Sequence, residues 1–429
     1  MSEHKSDISG WLVRRATWHL WAVLGVLLGA LVVRTARVTS DGGMDNAIVV
    51  RAARVWLGGG SPYDDPHFLY LPSAVLAAAP QALIPRGVLG VLVPVVVTGC
   101  LVGGWVCALR VHGVPLRSRF AALGLTGLAV GFAPFAHLVL LGNWTATAVL
   151  ALPLGLLLAA RGRWVAAGAV IGAAIALKPL LAPVGLLFVF ARRWRGLGVM
   201  VGVPVVASVG AALLLPDPAG FFTRTLPFLL GGDDGFVRLY EASPAAVLPR
   251  MGVPGVWAGG IGVVAAGVGL GCAYRRWRGG DEGARRLVET AVGLMLSAFL
   301  VSRPSYDHYL LVVVPLLVAG VLGEGAVARV VWFWVALVPQ IPGVTWPYLE
   351  AVQRRAFRDA VTLCGLAVTV AVRSVRSGRD VPPPPPLPVP SSRGSAPSTP
   401  LGAPPLDPTG PAASPVEGRN RWGEGSASA

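Results

Sequence analysis

The chain has 429 residues, 54% of them hydrophobic and only 13% charged, with a mean hydropathy of +0.65. A soluble domain carries about 25% charged residues, so this composition excludes a soluble globular protein and points to a polytopic membrane protein. The net charge of +15, from 36 basic and 21 acidic residues, fits cytoplasmic loops beside lipid headgroups; no reader motif accompanies it, which argues against a nucleic-acid partner.

Residues 1–16 read as a basic cytoplasmic N-terminus. The first apolar run, Trp18–Val33, follows Lys5, Arg14 and Arg15 but precedes no small-residue cleavage pattern, so 17–33 reads as an uncleaved span. The first long polar break is 41–73, DGGMDNAIVVRAARVWLGGGSPYDDPHFLYLPS, with the acids Asp41, Asp45, Asp64 and Asp65 beside Arg51 and Arg54. Met44, Ile48, Ala52, Val55 and Trp56 recur at helical spacing and predict an amphipathic helix over 44–57. Asp45 stands in its first turn, where the helix dipole favours a carboxylate, and Arg51 and Arg54 share its polar side. Gly58 to Gly60 end the helix, and Ser61-Pro62-Tyr63-Asp64 predicts a turn.

Further apolar segments follow at 87–109, 121–141, 144–160, 164–177, 179–191, 197–215, 252–273, 287–302, 309–322, 328–342 and 358–373. With 17–33 they make about twelve spans. Several fall short of the ~20 residues a straight span needs, so broken or tilted helices are expected, notably at Lys178-Pro179. The segment 68–85 is apolar, proline-rich and short, and if it crosses, every later loop changes side. With it not crossing, 23 of the 36 basic residues fall inside, including both ArgArgTrpArg clusters at 192–195 and 275–278, as the positive-inside rule requires. Both termini are then cytoplasmic. The membrane domain covers 17–375, and the tail 376–429, with its five-proline run Pro382–Pro386, reads as disordered or polyproline II. Cys100, Cys107, Cys272 and Cys364 lack CxxC spacing, so neither a zinc site nor a disulfide framework is expected.

This topology puts Asp41, Asp45, Asn143, Lys178, Asp233, Asp234, Tyr306, Asp307 and His308 on the outer side. Asp45 is the candidate general base, or a plain helix-start acid; Asp41 is its competitor, or a cap before Gly42. Lys178 sits in AIALKPLLAPV, where a lysine is expensive unless it snorkels or meets an anion. Arg224 in FFTRTLPF is a phosphate contact or a headgroup anchor. Tyr306, Asp307 and His308 are candidate acceptor or phosphate contacts, or an ordinary polar turn. His67 and Tyr70 line a substrate groove or anchor at the interface; the spacing of His67 with Asp64 and Asp65 matches no strong metal pattern. Asn143-Trp144-Thr145 is a formal glycosylation sequon, but a helix-end asparagine is the simpler meaning. The loop 216–251 is expected to pack over the site.

Four stretches carry a likeness: Asp45 with RAA at 51–53, SPYDDPHFLYLPS at 61–73, ALKPLLAPVGLL at 176–187 and DPAGFFTRTLPFLLG at 217–231. In this order they resemble the polyprenyl-phosphate-sugar-dependent glycosyltransferases of family 87, which have the all-α GT-C membrane fold, and the likeness runs over about 17–375. The resemblance implies that Asp45 is the catalytic base. Beside it the residues themselves make Lys178 and Arg224 the candidate donor-phosphate contacts, and Asp41, Arg51, His67, Tyr70, Asn143, Tyr306 and His308 the candidate substrate contacts. The resemblance also implies a lipid phosphosugar donor of the decaprenyl-phospho-arabinofuranose type and a polysaccharide or glycolipid acceptor, such as a cell-wall arabinan. No cofactor, metal or nucleotide sugar is implied. SYDHY at 305–309 is similar instead to the mannosyl-transferring members, which makes a polyprenyl-phosphomannose donor the alternative. A transporter or flippase is the reading from another class; against it stand the lack of an internal repeat and of charges well inside several spans.

Overall fold

A computed structural model describes residues 2–231, 239–279, 283–344 and 351–377; Asp233, Asp234 and the tail from 378 lie outside them. Among the described residues the structure is helical, with a lone bridge between Arg15 and Ser118. The helices are α1 Ser2–Val13, α2 Trp18–Val38, α3 Met44–Leu57, α4 Pro72–Ala82, α5 Arg86–Val111, α6 Arg119–Gly131, α7 Ala133–Leu141, α8 Thr145–Ala160 and α9 Trp164–Leu177. They continue as α10 Gly185–Phe190, α11 Trp194–Ala212, α12 Leu226–Gly231, α13 Pro244–Val247, α14 Gly255–Arg278, α15 Ala284–Val301, α16 Val314–Ala319, α17 Val331–Leu337 and α18 Ala351–Ser377.

Among the described residues four helices, α2, α5, α11 and α14, are long and apolar enough to cross a membrane, and the pair α6 and α7, bent by 72°, is either a fifth, broken span or a re-entrant loop. The expected segments 287–302 and 358–373 fall on the unbroken helices α15 and α18, and others are shorter helices broken by proline or glycine, as at Lys178-Pro179, where α9 stops and a 3-10 turn, Pro179–Val184, takes over. The protein is therefore an all-helical membrane protein in which only part of the expected set of about twelve crossings is made by single long helices. Helix α4 covers 11 residues, about 16 Å at 1.5 Å per residue, against a hydrocarbon core of about 30 Å.

Close backbone approach holds the bundle together, because apolar side chains gain little from leaving lipid for protein. Gly168 and Gly172, one turn apart on α9, face the backbone of Gly196 and Met200 on α11 so closely that a Cβ would stand 2.1 and 2.7 Å from their carbonyl oxygens. A larger aliphatic core runs through α5, α7, α8, α9, α15 and α16, and a separate aromatic cluster under α3 and α4 joins Tyr63, Phe68, Tyr70 and Trp144.

Helix α3 has the predicted bounds, and its buried face matches the apolar stripe in part. Of the stripe, Ala52 is buried and Ile48 and Trp56 pack against the aromatic cluster, while Met44 and Val55 are exposed; Asn46, Val49, Val50 and Ala53 also point inward. Beside a membrane an apolar side chain can face lipid as readily as core, so the apolar stripe marked only part of the packed side. The turn before α3 is locked to the α7–α8 corner: Gly43 (φ 117°) lies against the Leu141 carbonyl, and a Cβ on Gly142 (φ 61°) would stand 2.1 Å from the carbonyl oxygen of Gly42. Gly142→Ala therefore combines left-handed strain with an impossible contact. It is expected to lower the melting temperature by several degrees and to reduce activity through Asp45, whereas Gly127→Ala, which meets open space, should leave both unchanged.

Candidate active site

That glycine contact carries the start of α3 to the start of α8. Asp45, half-buried in the first turn of α3, accepts a 2.5 Å hydrogen bond from Nδ2 of Asn143. Asn143 is a helix-end asparagine, buried, whose Oδ1 accepts from the Thr145 amide at 2.7 Å and from Nζ of Lys178 at 3.0 Å. Nζ also donates to the Thr145 hydroxyl at 2.9 Å. The ammonium lies 4.9 Å from the Tyr309 ring centroid and 5.9 Å from that of Tyr70, so two aromatic faces help to hold the cation. A carboxylate, an amide, an ammonium and a hydroxyl are thus joined in one chain. Lysine has three N–H donors, and these bonds use two.

Asn46, next to Asp45, fixes the neighbouring turns. Its Nδ2 donates to the Asp41 carbonyl at 2.8 Å, and its Oδ1 accepts from the Trp144 indole at 3.0 Å. Tyr70 is buried edge-on to Trp144. Its phenol is pushed above its ordinary pKa, first by burial and then by the Asp45 carboxylate, so it remains a neutral hydroxyl.

The third side of the site is the segment after α15. Tyr306 stacks on His308 at 5.4 Å, and Asp307 and His308 begin a 3-10 turn, Asp307–Val312, in which both are buried. This is no exposed polar turn. Asp307 Oδ2 faces Nδ1 of His137 at 2.6 Å and accepts from the Arg355 guanidinium at 3.3 Å, while Oδ1 accepts from the His308 amide at 2.8 Å and faces His308 Nδ1 at 3.3 Å. With Nδ1 committed to Asp307, His308 offers Nε2, which is buried without a hydrogen-bond partner. His308 interacts electrostatically with both Lys178 and Asp45.

Six of the expected residues therefore meet: Asp45, Asn143, Lys178, Tyr70, Tyr306 and His308. The other four lie elsewhere. Arg51 pairs with Asp65 at 3.6 Å on the solvent side of α3; six residues after Asp45, it stands about 240° around the helix. His67 is exposed and also faces Asp65. Asp41 pairs with Arg54 and Arg86 at 3.5 and 3.6 Å. The guanidinium of Arg224, on a one-turn π-helical segment Phe221–Thr225, is clasped between the carboxylates of Asp64 and Asp217. The two acids already balance that cation, which removes the reason for expecting a phosphate there. The described part of the 216–251 loop packs on 61–68 through this clasp and reaches the third side through the Ala242 amide, which donates to the Ser305 carbonyl at 2.7 Å.

A phosphate role and a clasp role give different kinetics. Arg224→Ala is expected to cost at most about 1 kcal/mol of stability, since the pair is exposed, and to leave donor KM within about twofold. Lys178→Met should raise donor KM at least tenfold; initial rates over a donor series measure both.

Reasoning from sequence missed Asn46, Thr145, His137, Arg355 and Tyr309. His137 had one available signal, a lone polar residue in the apolar helix α7, whereas Arg355 stands in the charged run QRRAFRD at 353–359 and had none; their common partner Asp307 lies 170 and 48 residues away.

No solved structure matches the chain. It is similar to the α-(1→3)-arabinofuranosyltransferase of Mycobacterium tuberculosis, in strains CDC 1551 and H37Rv alike, with 31% identity over 178 residues. That match spans 41% of this chain and 41% of the relative. The sequence model of glycosyltransferase family 87 matches residues 68–302, a stretch that includes Asn143, Lys178 and Arg224. With more than half of its length matched in this way, the chain belongs to glycosyltransferase family 87.

Proposed function

We propose that the protein is an inverting transferase that moves arabinofuranose from decaprenyl-phospho-arabinose to a cell-wall arabinan at the outer face of the cytoplasmic membrane. About twelve crossings, counting the broken helices, and two cytoplasmic termini complete this reading. The observation that carries it is the meeting of a half-buried carboxylate, Asp45, with Lys178 and the unpartnered Nε2 of His308.

Asp45 takes the proton of an acceptor hydroxyl as its oxygen bonds to the anomeric carbon from the face opposite the phosphate. The bond from that carbon to the phosphate oxygen breaks, and polyprenyl phosphate leaves with the electron pair. Asn143 orients Asp45, and Lys178 with His308 meets the charge that builds on the phosphate. Tyr70 and Tyr309 supply hydroxyls and ring faces for a sugar. The arabinose assignment draws on the likeness to the mycobacterial enzyme; the SYDHY segment, whose Asp307 and His308 lie at the site, favours phosphomannose as a second reading.

Purified full-length protein given radiolabelled decaprenyl-phospho-arabinose or decaprenyl-phospho-mannose, with a short arabinan or mannan acceptor, tests it. Arabinose transfer with inverted anomeric configuration is expected. Mannose transfer alone would replace the sugar and keep the mechanism, and no transfer from folded protein would overturn the reading.

A further inference from the structure

The end of the bundle away from the active site carries two turns built alike. After α8 and after α10 the chain closes with the same set of backbone N–H to carbonyl bonds. In the first turn Arg161 donates to Leu157, Gly162 to Ala159 and Arg163 to Leu158; in the second Ala191 donates to Leu187, Arg192 to Val189 and Arg193 to Phe188. The matching positions Gly162 and Arg192 both have a left-handed backbone, with φ of 77° and 53°. Glycine is the usual residue at such a helix end. The second turn carries an arginine there instead, in a conformation that is costly for any residue with a Cβ.

Each turn opens the next helix on a tryptophan, Trp164 of α9 and Trp194 of α11. Together the turns present Arg161, Arg163, Arg192, Arg193 and Arg195, all exposed. They stand side by side: α9 and α11 touch at Gly168 and Gly196, and the Arg193 guanidinium lies 5.6 Å from the Trp164 ring centroid. The second ArgArgTrpArg cluster, at 275–278, joins them, since the Trp277 indole donates to the Phe190 carbonyl at 3.0 Å. Unlike Arg224, none of the five turn arginines pairs with a carboxylate among the described residues.

Helix α11 is long and apolar enough to cross a membrane, and its first residue, Trp194, is 61% exposed. Tryptophan at the end of a crossing marks the headgroup level. Lys178 follows the other end of α9, whose 14 residues span about 21 Å at 1.5 Å per residue. The arginine surface and the active site therefore lie at opposite ends of the bundle. Guanidinium groups match phosphate oxygens in paired hydrogen bonds, and a basic cluster beside a crossing attracts anionic lipid.

We propose that the paired turns 161–164 and 192–195 form a seat for the headgroup of an anionic phospholipid, at the membrane face opposite the active site. The two tryptophans favour a lipid over a soluble phosphate or an acidic protein, because indoles at the end of a crossing lie where acyl chains begin. The seat also accounts for Arg192, which adds a charge to this surface at the expense of an unstrained turn.

The test places the full chain in mixed micelles with equal amounts of phosphatidylglycerol and phosphatidylcholine, and native mass spectrometry then counts the lipids retained. Wild-type protein should keep phosphatidylglycerol at least tenfold over phosphatidylcholine, and excess inorganic phosphate should change that ratio less than twofold. Arg163→Gln combined with Arg193→Gln should lower the ratio at least fivefold. Arg192→Gly should lower it at least twofold with an equal or higher melting temperature, since glycine relieves the turn; this variant decides the matter if the double variant does not fold. Arg34→Gln combined with Arg37→Gln removes the same charge from exposed positions of α2 and should leave the ratio unchanged. A wild-type ratio near one, an equal loss in the α2 variant, or displacement by inorganic phosphate would overturn the proposal.

Discussion

Asp45→Asn is expected to fold as the wild type does and to lose transfer activity by a factor of about 10²–10⁴, the usual worth of a general base, which is roughly 3–5 kcal/mol of barrier. The fold survives because the amide oxygen at position 45 can accept the same bond from Asn143, and the lost charge–dipole term at the start of α3 is worth only about 0.3–1 kcal/mol. What the amide cannot do is take a proton from the acceptor hydroxyl. Melting temperature and radiolabel transfer on one preparation measure both effects. A well-folded Asp45→Asn protein with wild-type turnover would remove Asp45 from the mechanism and with it the central part of the proposed function.

Asp307→Asn should damage both stability and catalysis. The wild-type carboxylate is buried and meets Arg355, His137 and the amide and ring of His308. Removing the charge strands a guanidinium against α7. Breaking a buried pair costs about 3–5 kcal/mol, and the lower end of that range applies here because the Arg355 and His137 side chains remain 31% and 29% exposed. His308 meanwhile loses the anion that its Nδ1 faces and that fixes its ring. At a temperature well below the melting point, kcat should fall at least tenfold with folded protein still in excess. Activity that falls only in step with the folded fraction would make Asp307 a purely structural residue, and unchanged stability would contradict the network itself.

The membrane class, the helix 44–57 and its bounds, the break at Lys178-Pro179 and the presence of Asp45 in a first turn were all legible in the chain. These are local or compositional properties: hydropathy, helical period, a glycine run and a proline act within a few residues of where they stand. The buried side of α3 was legible only in part: Ile48, Ala52 and Trp56 of its stripe pack inward and Val55 does not, because at a bilayer surface an exposed valine and a packed one carry the same signal. Nor was the site's membership. Arg51 is near Asp45 in sequence but around the helix from it, while Asn143 and Lys178, about a hundred residues or more away, join it.

Tertiary structure alone decided those matters. Gly43 and Gly142 allow two backbones to touch, and that contact brings Asp45 to Asn143. Arg224 is another such case: its cation was plain in the sequence, but only the packing of 217–225 on 61–68 places Asp64 and Asp217 around it. The sequence by itself determined which charged groups an apolar chain would carry and the local structure around them. Which of these charges are balanced by a neighbour and which are left to meet a substrate depends on long-range contacts, because Coulomb and hydrogen-bond energies fall off over a few ångströms in space rather than over distance along the chain.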